Sequence, residues 1–164
     1  MSRCECEREG SQQSEHSPGI VSDDETIVYA LVEPLTSSVK AISKSGLKAG
    51  TVSVCRAGYT TGPDAKAKTV DILLAKDSSR TDDGFLHAPC AEIRAIPLGS
   101  SNIGAFCVID DGLPDHISHA HLGYSEPADV KLRNDREAAR ANLLAVLNRR
   151  GVKVEWSGEP FLAA

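Results

Sequence analysis

Large aromatic side chains are nearly missing from this chain, which has three Phe, three Tyr and one Trp. Its core must therefore be built from aliphatic residues, each worth about 1.5–3 kcal/mol for a fully buried Val, Leu or Ile. No apolar run approaches the roughly 20 residues that a membrane-spanning helix needs, so no membrane association is expected. A basic flank followed by an apolar segment is absent near Met1, and no secretory signal is expected. Basic charge is not in excess either. Residues 1–25 hold Glu5, Glu7, Glu9, Glu15, Asp23, Asp24 and Glu25 against Arg3 and Arg8, which accounts for the whole net charge of −5. The remainder is neutral, which argues against a nucleic-acid binder driven by phosphate neutralisation.

Cysteine is present without a disulfide pattern. There are five, an odd number, and Cys55, Cys90 and Cys107 sit in apolar surroundings where a thiol behaves as a small hydrophobe. Cys4-Glu-Cys6 alone amounts to half of a metal site and has no second pair near it. A reduced, cytoplasmic protein is the expectation.

At 164 residues the chain suits one core. Residues 1–25 are rich in Glu, Ser, Gln and Gly and bury little apolar surface, so they read as a disordered acidic tail. Residues 26–164 then form a single α+β domain. Within it, Thr26–Glu33 is a β-rich run stopped by Pro34, and the spacing of Leu35, Val39 and Ile42 predicts a short helix ending near Gly46. Thr51–Ala57 reads as a second strand. Gly58–Asp64 is loop-like and lacks the Lys-Ser/Thr that completes a phosphate loop. Thr69–Ala75 alternates like a third strand, Asp77–Gly84 reads as a loop, and Cys90–Ile96 tilts towards helix through its alanines. The helix signal at 135–149 is the clearest. Asn134 suits an N-cap, Glu137 completes a capping box, Ala139, Leu143, Val146 and Leu147 form one stripe, and Gly151 suits the C′ position. Arg133, Arg136 and Arg140 follow a polar stripe of that helix, read as solvated. Val152–Trp156 alternates as a last strand. The fold class expected is α+β, an antiparallel or mixed sheet of about five to six strands with one or two helices packed on one face.

Chemistry concentrates between Gly104 and Tyr124, which hold three of the five histidines. Ala105–Ile109 reads as a strand, Asp111-Gly112 opens a wide turn, and 117–122 returns as a second strand. Alternation places Ile117, His119 and His121 on one face and Ser118, Ala120 and Leu122 on the other. Two imidazoles on one face, with Asp115 or His116 near, are the candidate metal ligands: His119, His121 and Asp115, with Asp110, Asp111 and Asp129 as further carboxylates. Zinc held there would lower the pKa of a bound water towards 7 and supply hydroxide. His119-x-His121 followed by Ser125 and Asp129 resembles the motif of the JAMM/MPN metalloproteases, and that resemblance would imply a zinc hydrolase with Glu92 as the upstream acid. The Ser-to-Asp interval is one residue longer than that family uses, and His121 reaches Asp129 too soon, so the chain is not assigned to it. Cys90 with His87, or Cys107 with a histidine, is the thiol alternative. No complete constellation is spelled out. The primary expectation is a small soluble accessory protein that binds a protein partner without a cofactor, and a zinc-assisted hydrolase is the alternative.

Overall fold

The computed structural model describes residues 7–32, 52–125, 133–149, 156–157 and 161. The expected helix at 35–48 and strand at 152–156 lie outside the described residues, apart from Trp156.

Five strands form one antiparallel sheet: β1 (Thr26–Val32), β2 (Val52–Arg56), β3 (Asp82–Pro89), β4 (Phe106–Asp110) and β5 (His119–Tyr124), in the order β3-β1-β2-β5-β4. The fold is α+β. Among the described residues the helices are α1 (Glu7–Ser11), α2 (Gly62–Lys66), α3 (Ile72–Lys76), α4 (Cys90–Arg94) and α5 (Arg133–Asn148).

Helical segments cover both faces of the sheet, where the sequence suggested one. On the first face Ile27, Leu31, Val54, Leu86, Phe106, Val108, Ala120 and Leu122 pack with Ile93 of α4 and with Ala139, Leu143 and Leu147 of α5. The four-residue spacing of those three α5 positions is what gives the helix its buried stripe. On the second face Val28, Val32, Cys55 and Phe85 pack with Ala65, Val70, Trp156 and Phe161. This explains why β1 buries consecutive residues such as Ile27 and Val28 rather than alternate ones.

Residues 69–75, expected as a strand, are helical. Thr61 caps α2 by accepting from the Asp64 amide at 3.2 Å, and Pro63 sits in the first turn, where its missing N–H costs nothing. From there α2 runs through a π turn (Ala67–Asp71) into α3. Val70, Leu73 and Leu74 face the second cluster and Ile72 is left exposed, so the period is helical. Gly62 permits the close approach that seats this segment, because a Cβ there would lie 1.5 Å from the Trp156 carbonyl oxygen.

Strand β3 occupies Asp82–Pro89, part of which the sequence assigned to a loop. Gly84 has φ of 89°, a conformation that favours glycine, and Phe85, Leu86 and Ala88 are buried beyond it. The short helix at Cys90–Arg94 agrees with the tilt expected there.

The N-terminal segment, expected as a tail, makes polar contacts with the sheet where it is described. Residues 1–6 lie outside the described residues, but from Arg8 to Glu25 the chain is placed along the sheet by polar contacts. Glu9 is only 8% exposed. One of its carboxylate oxygens accepts from the Val108 amide of edge strand β4 at 2.8 Å, and the Arg94 guanidinium donates to both oxygens. Arg94 also donates to Asp23 and to the Val21 carbonyl, each at 2.6 Å. Arg8 donates to the Tyr124 carbonyl at 2.6 Å and Ser14 to the Gly112 carbonyl at 2.5 Å. The acids that made this segment read as a solvated tail are in part the counterions of a buried arginine. Ion-pair chemistry of this kind leaves no apolar periodicity to read.

Candidate functional site

The site grows from the β4–β5 hairpin. Strand β4 ends at Asp110, the chain turns through 111–118, and Leu113 and His116 exchange both backbone hydrogen bonds at 3.0 Å. Strand β5 starts at His119, two residues later than expected. Ala120 and Leu122 nevertheless enter the core as predicted, leaving His119 and His121 on the opposite face. Ser118 is buried and Ile117 is 45% exposed.

Asp111, rather than Asp115, joins the two histidines. Its Oδ2 lies 3.5 Å from His119 Nδ1 and 3.4 Å from His121 Nδ1. His119 Nδ1 also donates to the Asp111 carbonyl at 3.1 Å, which fixes the proton on that nitrogen. At His121 Nδ1 the Asp111 carboxylate favours the protonated ring by its charge. Asp115 is exposed on the loop, and its charge bears on His116. Asp110 is diverted elsewhere: Arg56 donates to one of its oxygens, and the other accepts from the Gly112 amide at 2.9 Å. Asp129 lies outside the described residues. Among the described residues no group of three or more His, Cys, Asp or Glu is placed to hold a metal ion.

A second cluster adjoins the first and was not read from the sequence. Cys55 Sγ lies 3.8 Å from His116 Nε2, and Ser118 Oγ lies 3.2 Å from His116 Nδ1. The rings of His116 and His119 are 5.5 Å apart. This is the outline of a thiol–imidazole pair with a hydroxyl behind it, but its electrostatics oppose nucleophilic use. Burial, with Asp64 beside it, pushes the Cys55 thiol up to about 12. Burial also holds His116 below the ordinary histidine value, helped by His119 and Lys68 against Asp64 and Asp115. Burial lowers His121 as well, against the pull of Asp111. Thiol and imidazoles are therefore neutral together near pH 7, and a neutral thiol is a poor nucleophile.

The other thiol candidates fare no better. Cys90 is fully buried, and burial pushes it up to about 12. Cys107, expected to be a reduced thiol, is disulfide-bonded, whereas Cys55 and Cys90 are free. Of the residues in the metalloprotease resemblance, Ser125 Oγ donates to the Gly104 carbonyl at 2.6 Å and Glu92 pairs with Arg149, while Asp129 lies outside the described residues. Cys4 and Cys6 lie outside the described residues.

Arg56 is the buried centre from which the rest of this end of the sheet is organised. Its side chain is 1% exposed. Nε and Nη2 donate to the two Glu25 oxygens at 2.7 Å each, and Nη1 donates to the Gly19 carbonyl at 2.7 Å and to Asp110. The guanidinium lies 4.4 Å from the centre of the Tyr59 ring. Burial alone would lower the Arg56 pKa, but the hydrogen bond and charge of Glu25, with Asp110, outweigh it and raise it. A guanidinium ending the apolar run Val52-Ser-Val-Cys was the available signal in the sequence. It pointed to a buried cation that needs acids from distant segments.

Fold and site together define an α+β protein with one antiparallel sheet and a histidine-bearing hairpin at its β4 edge. No family model, no curated protein and no solved structure matches this chain.

Proposed function

We propose that this chain is a non-catalytic accessory protein that binds a protein partner at the sheet end built around Arg56. The observation that carries the reading is the placement of exposed large apolar residues. Ile20 is 50% exposed, Tyr59 40%, Leu113 44% and Ile117 45%. Each is tied to Arg56 by a short path. Gly19, beside Ile20, accepts from Arg56, Tyr59 lies under its guanidinium, and the Arg56 amide donates to the Ser118 carbonyl next to Ile117. The loop that bears Leu113 is held to residues 14–16 through Gly112. Of the six exposed large apolar side chains among the described residues these four lie on segments joined through Arg56 and Gly112, whereas Ile72 and Ile103 do not, and exposed apolar side chains on adjoining segments favour a protein contact.

Residues 104–125 contain no Lys or Arg, which favours a protein over a nucleic acid as the partner. Among the described residues no helix is long and apolar enough to cross a membrane. A cytoplasmic home is part of the same reading, with the Cys107 disulfide as the observation against it. The alternative, a zinc-assisted hydrolase, draws on His119, His121 and Asp111, and among the described residues no group of three such ligands is placed to hold a metal ion.

The experiment is site-specific photocrosslinking in cells that make the protein, with the crosslinking residue at Ile117 and, as a control, at exposed Ala75 of α3. A discrete protein adduct at 117 that is absent at 75 is the expected result. No adduct at 117, or equal adducts at both positions, would overturn the reading. Stoichiometric zinc in untagged protein, lost from His119→Ala and His121→Ala, would put the hydrolase in its place.

A further inference from the structure

We infer that the partner segment received at the Arg56 end of the sheet is basic and apolar, with Lys or Arg side chains interspersed among aliphatic ones. This inference rests on the partner-binding reading and adds the chemistry of the partner. It starts from the charge around the exposed residues Ile20, Tyr59, Leu113 and Ile117.

The two stretches that supply most of this surface, residues 12–25 and 104–125, contain Glu15, Asp23, Asp24, Glu25, Asp110, Asp111 and Asp115 and no Lys or Arg at all. Some of these acids are already satisfied inside the fold. Arg94 holds Asp23, and Arg56 holds Glu25 and Asp110. The others face outwards. The Glu15 side chain is 86% exposed and that of Asp111 47%, while Asp24 and Asp115 are exposed residues. None of these four is paired with a Lys or Arg among the described residues. Glu15 lies 3.4 Å from His16, Asp24 accepts from the Ser22 hydroxyl, and Asp111 faces His119 and His121. Two cations among the described residues are engaged elsewhere. Lys68 is paired with Asp64 at 3.0 Å, and Arg8 is bound to the Tyr124 carbonyl.

The result is a set of exposed aliphatic and aromatic side chains on segments whose exposed carboxylates are paired with no Lys or Arg among the described residues. Complementary charge at such a surface steers association and rejects partners of like sign. A second copy of the same face would set acids against acids, and an anionic lipid surface or a nucleic acid would be repelled in the same way. A basic, apolar segment alone satisfies both the apolar side chains and the carboxylates.

The test uses the full chain and two fluorescein-labelled peptides of about 12 residues, long enough to cover one face of a small domain. One alternates Lys with Leu, and the other alternates Glu with Leu. Fluorescence anisotropy is read at about 0.05 M and about 0.5 M salt, where the Debye length falls from more than 10 Å to a few ångströms. The Lys/Leu peptide should bind at least about tenfold tighter than its acidic counterpart at low salt, with the advantage reduced at high salt. Leu113→Ser with Ile117→Ser should weaken it by about tenfold, as should Glu15→Gln with Asp115→Asn. All four side chains are exposed, and an unchanged unfolding midpoint will establish that the variants fold.

Equal binding of the two peptides overturns the inference. So does Lys/Leu binding that ignores the Leu113 and Ile117 substitutions, since that would be attraction to net charge alone. A crosslink at 117 to a partner segment without basic residues also overturns it, while leaving the partner-binding reading in place. Absence of any adduct at 117 removes that reading itself.

Discussion

Replacing Arg56 by Met tests the buried ionic centre. Methionine keeps most of the aliphatic length and removes the charge. The guanidinium makes two hydrogen bonds to Glu25, one to the Gly19 carbonyl and one to Asp110. The severity is set by Asp110, whose side chain is 1% exposed and keeps only the Gly112 amide among its described donors. Glu25, at 16% side-chain exposure, can turn towards water and suffers less. Removing one partner of a buried ion pair generally costs about 3–5 kcal/mol, because the other charge stays buried without compensation. That is a large part of the roughly 5–15 kcal/mol by which domains are stable. The assay is urea unfolding followed by Trp156, the single tryptophan, which is 6% exposed and packs on Phe85 at 4.6 Å. Arg56→Met should lose about 3–5 kcal/mol. The double variant Arg56→Met/Asp110→Asn should recover about 1–2 kcal/mol of that loss, the coupling expected of residues in direct contact. An Arg56→Met variant within about 1 kcal/mol of the parent would show that the cluster is not buried or not ionic, and the reasoning would fall.

Three further outcomes are expected. Glu9→Ala leaves the Arg94 guanidinium with one carboxylate fewer and the Val108 amide without its acceptor, so it should cost on the order of 3 kcal/mol and raise hydrogen exchange at Val108; an unprotected Val108 amide in the parent would refute this. Leu143→Ala, at a position 1% exposed, should cost about 2–5 kcal/mol in the same urea assay, and a variant as stable as the parent would mean that α5 does not pack on the sheet. His116 and His121 have lowered pKa values in the folded protein, so the unfolded chain takes up more protons once the pH drops below the ordinary 6.5. Their contribution is thus complete above about pH 6.5 and is lost as pH falls below it. The urea midpoint should be lower at about pH 5.5 than at about pH 7.5, His121→Gln should flatten the difference, and a midpoint that rises on acidification would contradict the burial of these rings.

Part of this molecule is legible from the chain alone, because some signals are local. The helix at Arg133–Asn148 is written in the spacing of Ala139, Leu143 and Leu147, and any packing partner would use that stripe. Strand β1 is written in its β-branched run. Ala120 and Leu122 were assigned to the core from alternation alone, and that placement fixes His119 and His121 together on the other face.

Where local signals compete, tertiary packing decided. Residues 69–75 alternate well enough for a strand, but Thr61 and Pro63 start a helix upstream, and the second face of the sheet buries its Val70 and Leu74 side. Covering both faces depends on which segments return to the sheet, and no window of sequence encodes that. The same holds for the site. Asp111 rather than Asp115 meets the two histidines because of where the loop turns back, and Cys55 meets His116 only because β2 pairs with β5.

The N-terminal acids show the division most clearly. By composition residues 1–25 are a solvated tail, since Glu and Asp carry no periodic signature. In the fold, Glu9, Asp23 and Glu25 are partners of Arg94 and Arg56, residues between 31 and 85 positions away. An ion pair depends on distance in space rather than on sequence spacing, so sequence could supply the charges and only the tertiary structure could pair them.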